Sequence, residues 1–399
     1  MQKGYTMKKI LYTASRISHI LNFHMPYINY FKNKGYTIHI LSEGTANINV
    51  DKIYNIPFEK KITSINNILT IKTVKHILHQ EQYDLIITNT SLASFIVRIA
   101  KQISKAKNHG RLINISHGYL FSKNTPLLKK ILYVTAEKLC VKSTDLLITM
   151  NKEDFELANK YKLCKHKIEN IKGMGITPPP IFTYDIKQKT RLKYNINSND
   201  ILITYAGELS KRKNQIFLIQ SMKNIIKKIP NAKLLLAGNG ELYDFYKQEI
   251  NRLDLENHII LAGFVSQIKE LIFSSDIIIS SSKSEGLPFN IMEAMSLKIP
   301  VIASNVKGHN DLIKDAYNGY LFEIEDKKTE KSSIKKLELY DNSVNSDNIK
   351  IIDELTEKLL KIINDKNISI MKENEAAFIK DYMIDRVFGR NIKLLDILD

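Results

Sequence analysis

Two carboxylates, Glu285 and Glu293, stand eight residues apart in the segment SKSEGLPFNIMEAMSLKIP (282–300). An apolar run before it reads as a strand, and the stretch from about Phe289 to Leu297 reads as a helix. Gly286 then occupies a turn where backbone can approach a ligand closely. The amides of Leu287 and Asn290 fall near the helix start, a place that favours a negative group such as phosphate. A carboxylate at each end of that group can accept hydrogen bonds from sugar hydroxyls: Glu285 from a sugar beyond the phosphate, Glu293 from a ribose. The competing reading is a pair of ordinary surface acids, against which the flanking glycine, proline and apolar run weigh.

Three further clusters could carry chemistry. In AGELSKRKNQ (206–215) a strand ends at Gly207, a loop carries Lys211, Arg212 and Lys213, and a helix follows from about Asn214. Cations beside a strand end and a helix start suit a diphosphate; a solvated basic turn fits the same residues. In AGNGELYDF (237–245), Gly238 and Gly240 form either a backbone approach to a ligand or only a tight turn, and the full three-glycine dinucleotide fingerprint is missing. His117, before Gly118, closes the strand RLINIS (111–116); a lone histidine there is more often structural or solvated than catalytic, and the sheet's carboxyl edge adds some weight to catalysis. The sequence has no Asp-x-Asp, no cluster with metal-ligand spacing and no phosphate loop of the G-x-x-x-x-G-K-[ST] type. Metal is therefore not expected, and cationic side chains and helix starts would stabilise a leaving diphosphate instead.

The elements that must position these residues alternate between short apolar runs and helical stretches. KKILYTA (8–14), TIHILS (37–42), YDLIITN (83–89), RLINIS (111–116), DLLITM (145–150) and KIENIKG (167–173) read as strands in the first half. ILITYAG (201–207), AKLLLAG (232–238), HIILAGF (258–264), DIIISSS (276–282) and IPVIAS (299–304) do so in the second. Near-continuous apolar strands alternating with helices imply parallel sheets covered on both faces, with ligands at the strands' carboxyl ends. The helix over SLASFIVRIAKQISK is expected to present Leu92, Phe95, Ile96 and Ile99 on one face. GMGITPPPIFTYD (173–185) reads as a linker, 324–350 as a polar surface insertion, and 351–398 as helical.

The chain has 399 residues, enough for two domains, and a formal charge of +17 that leans towards polyanionic partners: nucleic acid, anionic membrane or a phosphorylated substrate. Cys140 and Cys164 read as idle thiols in a reducing compartment. No apolar run approaches the length of a membrane span, and the first residues read as a strand rather than a leader.

Taken together, these clusters resemble retaining glycosyltransferases of the GT-B fold, family 4. The match rests on SEGLPFNIMEAMSLKIPVIAS with Glu285 and Glu293, on Gly308 and NGYLF (318–322), and on GELSKRKNQ and LLLAGNGEL in order. In the first half it rests on KILYTA, FHMPYINYFKNKGYTIHIL, YDLIITNT, ISHGY and TDLLITMNKEDFELA. The branch resembled builds bacterial capsule, exopolysaccharide or lipopolysaccharide units. The resemblance implies two Rossmann-like, doubly wound α/β domains facing a central cleft: 1–178 on the acceptor side, and 179–380 binding the nucleotide sugar. It also implies a C-terminal helix, 381–399, packing back on the first domain. It implies a hexosyl or N-acetylhexosaminyl transferase using a nucleotide sugar, a UDP-sugar first, without cofactor or metal.

The resemblance also implies roles. Lys213 and Arg212 would hold the donor diphosphate, with Gly207, Gly240, Gly286 and Leu287 offering backbone. Glu293 would bind ribose, and Phe264 and Val265 would border the base. Glu285 and His117 would act on the transferred sugar. Glu208 stands where many members carry Arg, and TASRISHILNF replaces their N-terminal glycine-rich loop. The expected acceptor is a glycan or polyprenyl-diphosphate-linked sugar, the location cytoplasmic or peripheral at the inner membrane face. The stretch 126–142 fits docking on anionic lipid, and equally a core-facing helix with a wet basic side. Two alternatives stand beside the transferase: a sugar-nucleotide 2-epimerase of the same fold, and a nucleic-acid-binding protein. Glu285→Ala is expected to abolish most transfer with the fold intact.

Overall fold

Strand-forming runs buried on both faces build two parallel sheets, described in a computed structural model over residues 7–59, 64–104, 110–324, 346–366 and 368–397. The chain divides into two compact units, 1–175 with 384–399, and 176–383. The division falls three residues before the 178/179 boundary read from the sequence, and the return to the first unit, at 384, three residues after the expected 381. Most of the segment 324–350 lies outside the described residues.

The first unit holds strands β1 (Lys9–Arg16), β2 (Thr37–Glu43), β3 (Lys52–Asn55), β4 (Leu85–Asn89), β5 (Arg111–Ser116), β6 (Leu146–Thr149) and β7 (Lys167–Asn170), in the order β3-β2-β1-β4-β5-β6-β7. Every pairing is parallel. The strand order reverses between β1 and β4, which is where a doubly wound sheet opens a crevice at its carboxyl edge. The helix Ser91–Ile103 buries Ala93, Ile96, Val97 and Ala100. Leu92 and Phe95, expected on the same face as Ile96, pack half-buried against that core and also line a cavity of about 530 Å³. The same helix buries Arg98, whose Nη2 lies 2.9 Å from Glu137 Oε2.

The second unit holds β8 (Ile201–Ala206), β9 (Ala232–Ala237), β10 (Ile259–Gly263), β11 (Ile277–Ser280), β12 (Val301–Ser304) and β13 (Tyr320–Phe322), ordered β10-β9-β8-β11-β12-β13. Its switch point lies between β8 and β11. Leu355 and Leu359, from the helix Ser346–Asn364, are fully buried in its core with Ile203, Leu234 and Phe322.

The last helix, Ile384–Leu395, belongs to the first unit. Asn391 Nδ2 donates to Tyr27 Oη (2.8 Å) and to the Gly173 carbonyl (2.9 Å), and Tyr27 Oη donates to the Met174 carbonyl. Gly175 has a positive φ of 86°, and a Cβ there would stand 2.7 Å from Ile384 Cα, so only glycine lets the helix close in. Asn391→Leu is expected to cost the first unit about 1–3 kcal/mol by stranding buried partners. Hydrogen exchange should then speed up in Met25–Asn33; unchanged protection would show that the helix is held otherwise.

Candidate functional site

The switch point of the second sheet brings the predicted donor residues together. The loop after β8 carries Gly207, Arg212 and Lys213, and the loop after β11 carries Glu285 and Gly286. Lys213 Nζ donates to Glu285 Oε1 at 2.6 Å, and Arg212 Nη1 to Glu285 Oε2 at 3.0 Å. Arg212 Nη1 also reaches the Ser284 carbonyl, and Ser282 Oγ donates to Glu285 Oε1. Glu285 is only 8% exposed and the Lys213 side chain 13%, so these are not ordinary surface charges. Arg212, with half its side chain exposed, is the solvated member of the trio.

Burial pushes the Glu285 carboxyl up, but the Lys213 and Arg212 charges win and bring it from the usual 4.5 to about 2. Burial pulls the Lys213 ammonium below its usual value against the attraction of Glu285. Because Glu285 is the buried counter-charge of Lys213, truncating it is expected to cost stability as well as activity, about 3–5 kcal/mol for breaking such a pair.

Neighbouring groups the sequence reading passed over complete the knot. Tyr205 Oη, from β8, lies 2.6 Å from Ser282 Oγ, and burial raises its pKa. His309 is fully buried with Nδ1 2.9 Å from the Ser304 carbonyl, and burial lowers it to about 4 although the Glu285 charge pulls the other way. A neutral ring donating from Nδ1 leaves Nε2 as an acceptor. The signal that could have found His309 is Gly308 before it, since a Cβ there would stand 2.8 Å from the Gly286 carbonyl oxygen and 2.9 Å from Glu285 Cβ.

The glycine edge forms as a second layer of the same site. Gly207 N donates to the Ala237 carbonyl, and Gly238 N to the Gly263 carbonyl. Gly240 packs so tightly on the loop after β8 that a Cβ would stand 2.1 Å from the Leu209 carbonyl oxygen. Phe264, after β10, is 77% exposed, whereas Val265 packs against the core formed by Leu202, Leu235 and Leu271. Leu287 is buried just before the helix Phe289–Ser296, and Asn290 Nδ2 ties that helix to the Ala206 carbonyl at the end of β8. Glu293 is half-buried on the helix, and burial raises its carboxyl above the usual value. It joins neither Arg212 nor Lys213 in an ion pair, which separates its role from that of Glu285.

His117 lies in the first unit, past the end of β5. Its Nε2 is 3.2 Å from Asn89 Oδ1 and 3.3 Å from His19 Nε2, and burial holds its pKa well below the usual value. The sequence reading missed His19 and His24, which follow β1 and gather beside it. The adjoining cavity has Phe23, Phe58, Leu92, Phe95 and Tyr133 among its walls, with Arg16 and His19 among its polar groups. The basic, apolar helix Leu127–Leu139 buries only Val134, while Leu127, Leu128, Ile131, Leu132 and Leu139 are exposed, so the core-facing reading of these leucines and isoleucines is corrected. Among the described residues, no helix is long and apolar enough to cross a membrane.

Comparison with known proteins matches residues 186–348 to the family described as Glycosyl transferases group 1, and residues 9–151 to that described as Glycosyl transferase 4-like. A putative glycosyltransferase of Bacillus subtilis, EpsD, is 31% identical over 80% of this chain and 84% of its own. The Escherichia coli UDP-Gal:alpha-D-GlcNAc-diphosphoundecaprenol alpha-1,3-galactosyltransferase is 25% identical over 79% and 75% respectively. The crystal structure of Anabaena HepE in complex with UDP and glucose superposes with a TM-score of 0.72 at 18% identity, covering 98% of this chain and 99% of that one. Neither the 2-epimerase nor the nucleic-acid reading draws support from these matches.

Folding keeps Glu285 ionised below the pH at which it would protonate in the unfolded chain. Its contribution to stability is therefore complete above about pH 4.5 and is lost as the pH falls from there to about 2. Glu285→Gln is expected to lower the second unit's stability at neutral pH and to flatten that acid limb. Urea unfolding at a series of pH values measures both, and an unchanged limb would remove the ion pairs from the account.

Proposed function

We infer that this chain, which belongs to the GT4-type glycosyltransferases of the GT-B fold, moves a hexosyl or N-acetylhexosaminyl unit from a nucleotide sugar to a glycan or lipid-linked sugar acceptor, with retention at the anomeric carbon. The enzyme acts in polysaccharide synthesis. The observation that carries the donor reading is the gathering of Arg212 and Lys213 on Glu285 at the switch point between β8 and β11. Two cations and the start of the helix Phe289–Ser296 offer a diphosphate the compensation it loses on leaving water. Glu293 takes the ribose, Phe264 and Val265 border the base, and Glu285 takes the transferred sugar. His117 contacts that sugar near its reacting carbon.

A UDP-sugar is the favoured donor, supported by the UDP-galactose for which the Escherichia coli relative is named and the UDP in the Anabaena complex. Charge developing on the leaving diphosphate is met by Arg212 and Lys213, so the proposed transfer runs without a metal ion. The acceptor is a sugar on a polyprenyl diphosphate: the Escherichia coli relative is named for such an acceptor, and the first unit offers an apolar cavity with Arg16 among its polar groups. The exposed apolar face of Leu127–Leu139, with Lys129, Lys130, Lys138 and Lys142 along the stretch, suits the anionic inner membrane face and a peripheral, cytoplasmic location.

A panel of nucleotide sugars offered with a GlcNAc-diphosphate-lipid acceptor in EDTA tests the reaction; transfer should persist, and an epimer released without acceptor would overturn it. Glu293→Ala is expected to raise the donor KM roughly 10–100-fold, the loss of a hydrogen bond to a charged group, with a smaller change in kcat. Unchanged KM would remove Glu293 from the ribose. Sedimentation with phosphatidylglycerol liposomes, but not neutral ones, should carry the protein down, and equal recovery in both supernatants would sink the docking surface.

A further inference from the structure

The first sheet's switch point holds a group of side chains that the proposed transfer does not explain. His19 and His24 follow β1, and His117 follows β5; one ring nitrogen from each lies within 4.8 Å of the others. Their ring centroids are 4.3, 5.4 and 5.5 Å apart. His24 is fully buried, yet neither of its ring nitrogens has a hydrogen-bond partner among the described residues. A buried polar atom without a partner carries its whole desolvation cost, and such atoms ordinarily owe their place to a water or an ion.

We propose that His19, His24 and His117 form a three-imidazole site for a divalent transition metal of the zinc type. The 3.3 Å between His19 Nε2 and His117 Nε2 serves as a hydrogen bond, and it is also a coordination distance. Two nitrogens each about 2.0–2.1 Å from a tetrahedral zinc ion are about 3.3–3.4 Å apart. The donor set is all neutral nitrogen with no carboxylate, which selects zinc, nickel or copper over magnesium, calcium or manganese.

Asn89 holds the metal-free ring of His117, a contact given up when Nε2 takes a metal. Its Nδ2 donates to the Thr13 carbonyl, which turns Oδ1 towards His117 Nε2 at 3.2 Å. In the metal-free ring the Nε2 proton points at that oxygen; on metal binding it moves to Nδ1, and the neutral ring loses no net proton. Three protein ligands leave a fourth position, and the cavity that His19 lines gives it a route in. A metal held there occupies His117 Nε2. On the reading that His117 contacts the transferred sugar, and resting on it, zinc therefore acts as a brake on a reaction that needs no metal.

The test uses tag-free full-length protein stripped with EDTA and titrated with Co²⁺. One equivalent should bind with the visible absorption of tetrahedral cobalt, Zn²⁺ should bleach it, and Mg²⁺ should not. His19→Gln, at the half-buried ligand, should weaken binding by about a hundredfold or more while far-ultraviolet circular dichroism is kept. No tetrahedral spectrum, or equal affinity in His19→Gln, overturns the site. The functional arm is read separately, as donor hydrolysis and transfer against Zn²⁺. Metal binding without inhibition would keep the site and remove His117 from the sugar. Transfer without any metal binding would leave the transferase standing and the site refuted.

Discussion

Taking an isolated carboxylate out of water costs several kcal/mol, and the Glu285 carboxylate has almost none around it. It stays ionised because Lys213 and Arg212 reach it from a loop 72 and 73 residues earlier, and because Ser282 adds a donor from its own loop. The requirement for these partners fixes more than one side chain. It holds the loop after β8 against the loop after β11, so the strands on either side of the switch point cannot shift without exposing an unpaired charge. Tyr205 reinforces the link by touching Ser282 from within β8. The two cations are not equivalent. Lys213 is enclosed and its place is set by Glu285, whereas Arg212 keeps half its side chain in solvent. A diphosphate can recruit Arg212 at little desolvation cost, while Lys213 is already aimed, and pre-aimed charge is what stabilises a leaving group most effectively.

Backbone contact does for the loops what ionic contact does for the side chains. Gly240 rests on the Leu209 carbonyl and Gly308 on the Gly286 carbonyl, each at a spacing that no Cβ can occupy. Behind them, β8, β9, β11 and β12 are apolar and buried, a rigid base from which short loops project. Asn290 binds the Ala206 carbonyl, so the helix that would meet a phosphate is tied to the same strand end as the cationic loop.

The long apolar runs were legible because strands buried on both faces read as unbroken Ile, Leu and Val. β3 and β13 were not singled out as strands: they are short, and KIYN is half exposed. The helix Ser91–Ile103 was legible from the spacing of its large residues, but that Leu92 and Phe95 also wall a cavity was not, because spacing cannot tell a core from its edge. In the site, residue types and spacing named Lys213, Arg212, Glu285 and Glu293. They did not disclose that the first three form one ionic unit, since that depends on which strands become neighbours. The same limit hid Tyr205, His309, His19 and His24. A buried histidine carries no mark in a single sequence, and its role follows from what the sheet order sets beside it.

Both sheets reverse their strand order at the equivalent place, yet the two switch points solve opposite electrostatic problems. In the second unit the crevice is ionic, with cations balanced by a buried acid. In the first the strand ends carry mostly uncharged groups: imidazoles whose pKa burial lowers, Thr88 and Ser94 bonded to Asn114, and a largely apolar cavity alongside, with Arg16 and Glu43 on its wall. A sheet's topology determines where a ligand can lie, but it leaves the loops free to choose charge. This is why the halves share an architecture without sharing a sequence repeat. It is also why the loops of one crevice gather paired charges while those of the other gather imidazoles and apolar side chains.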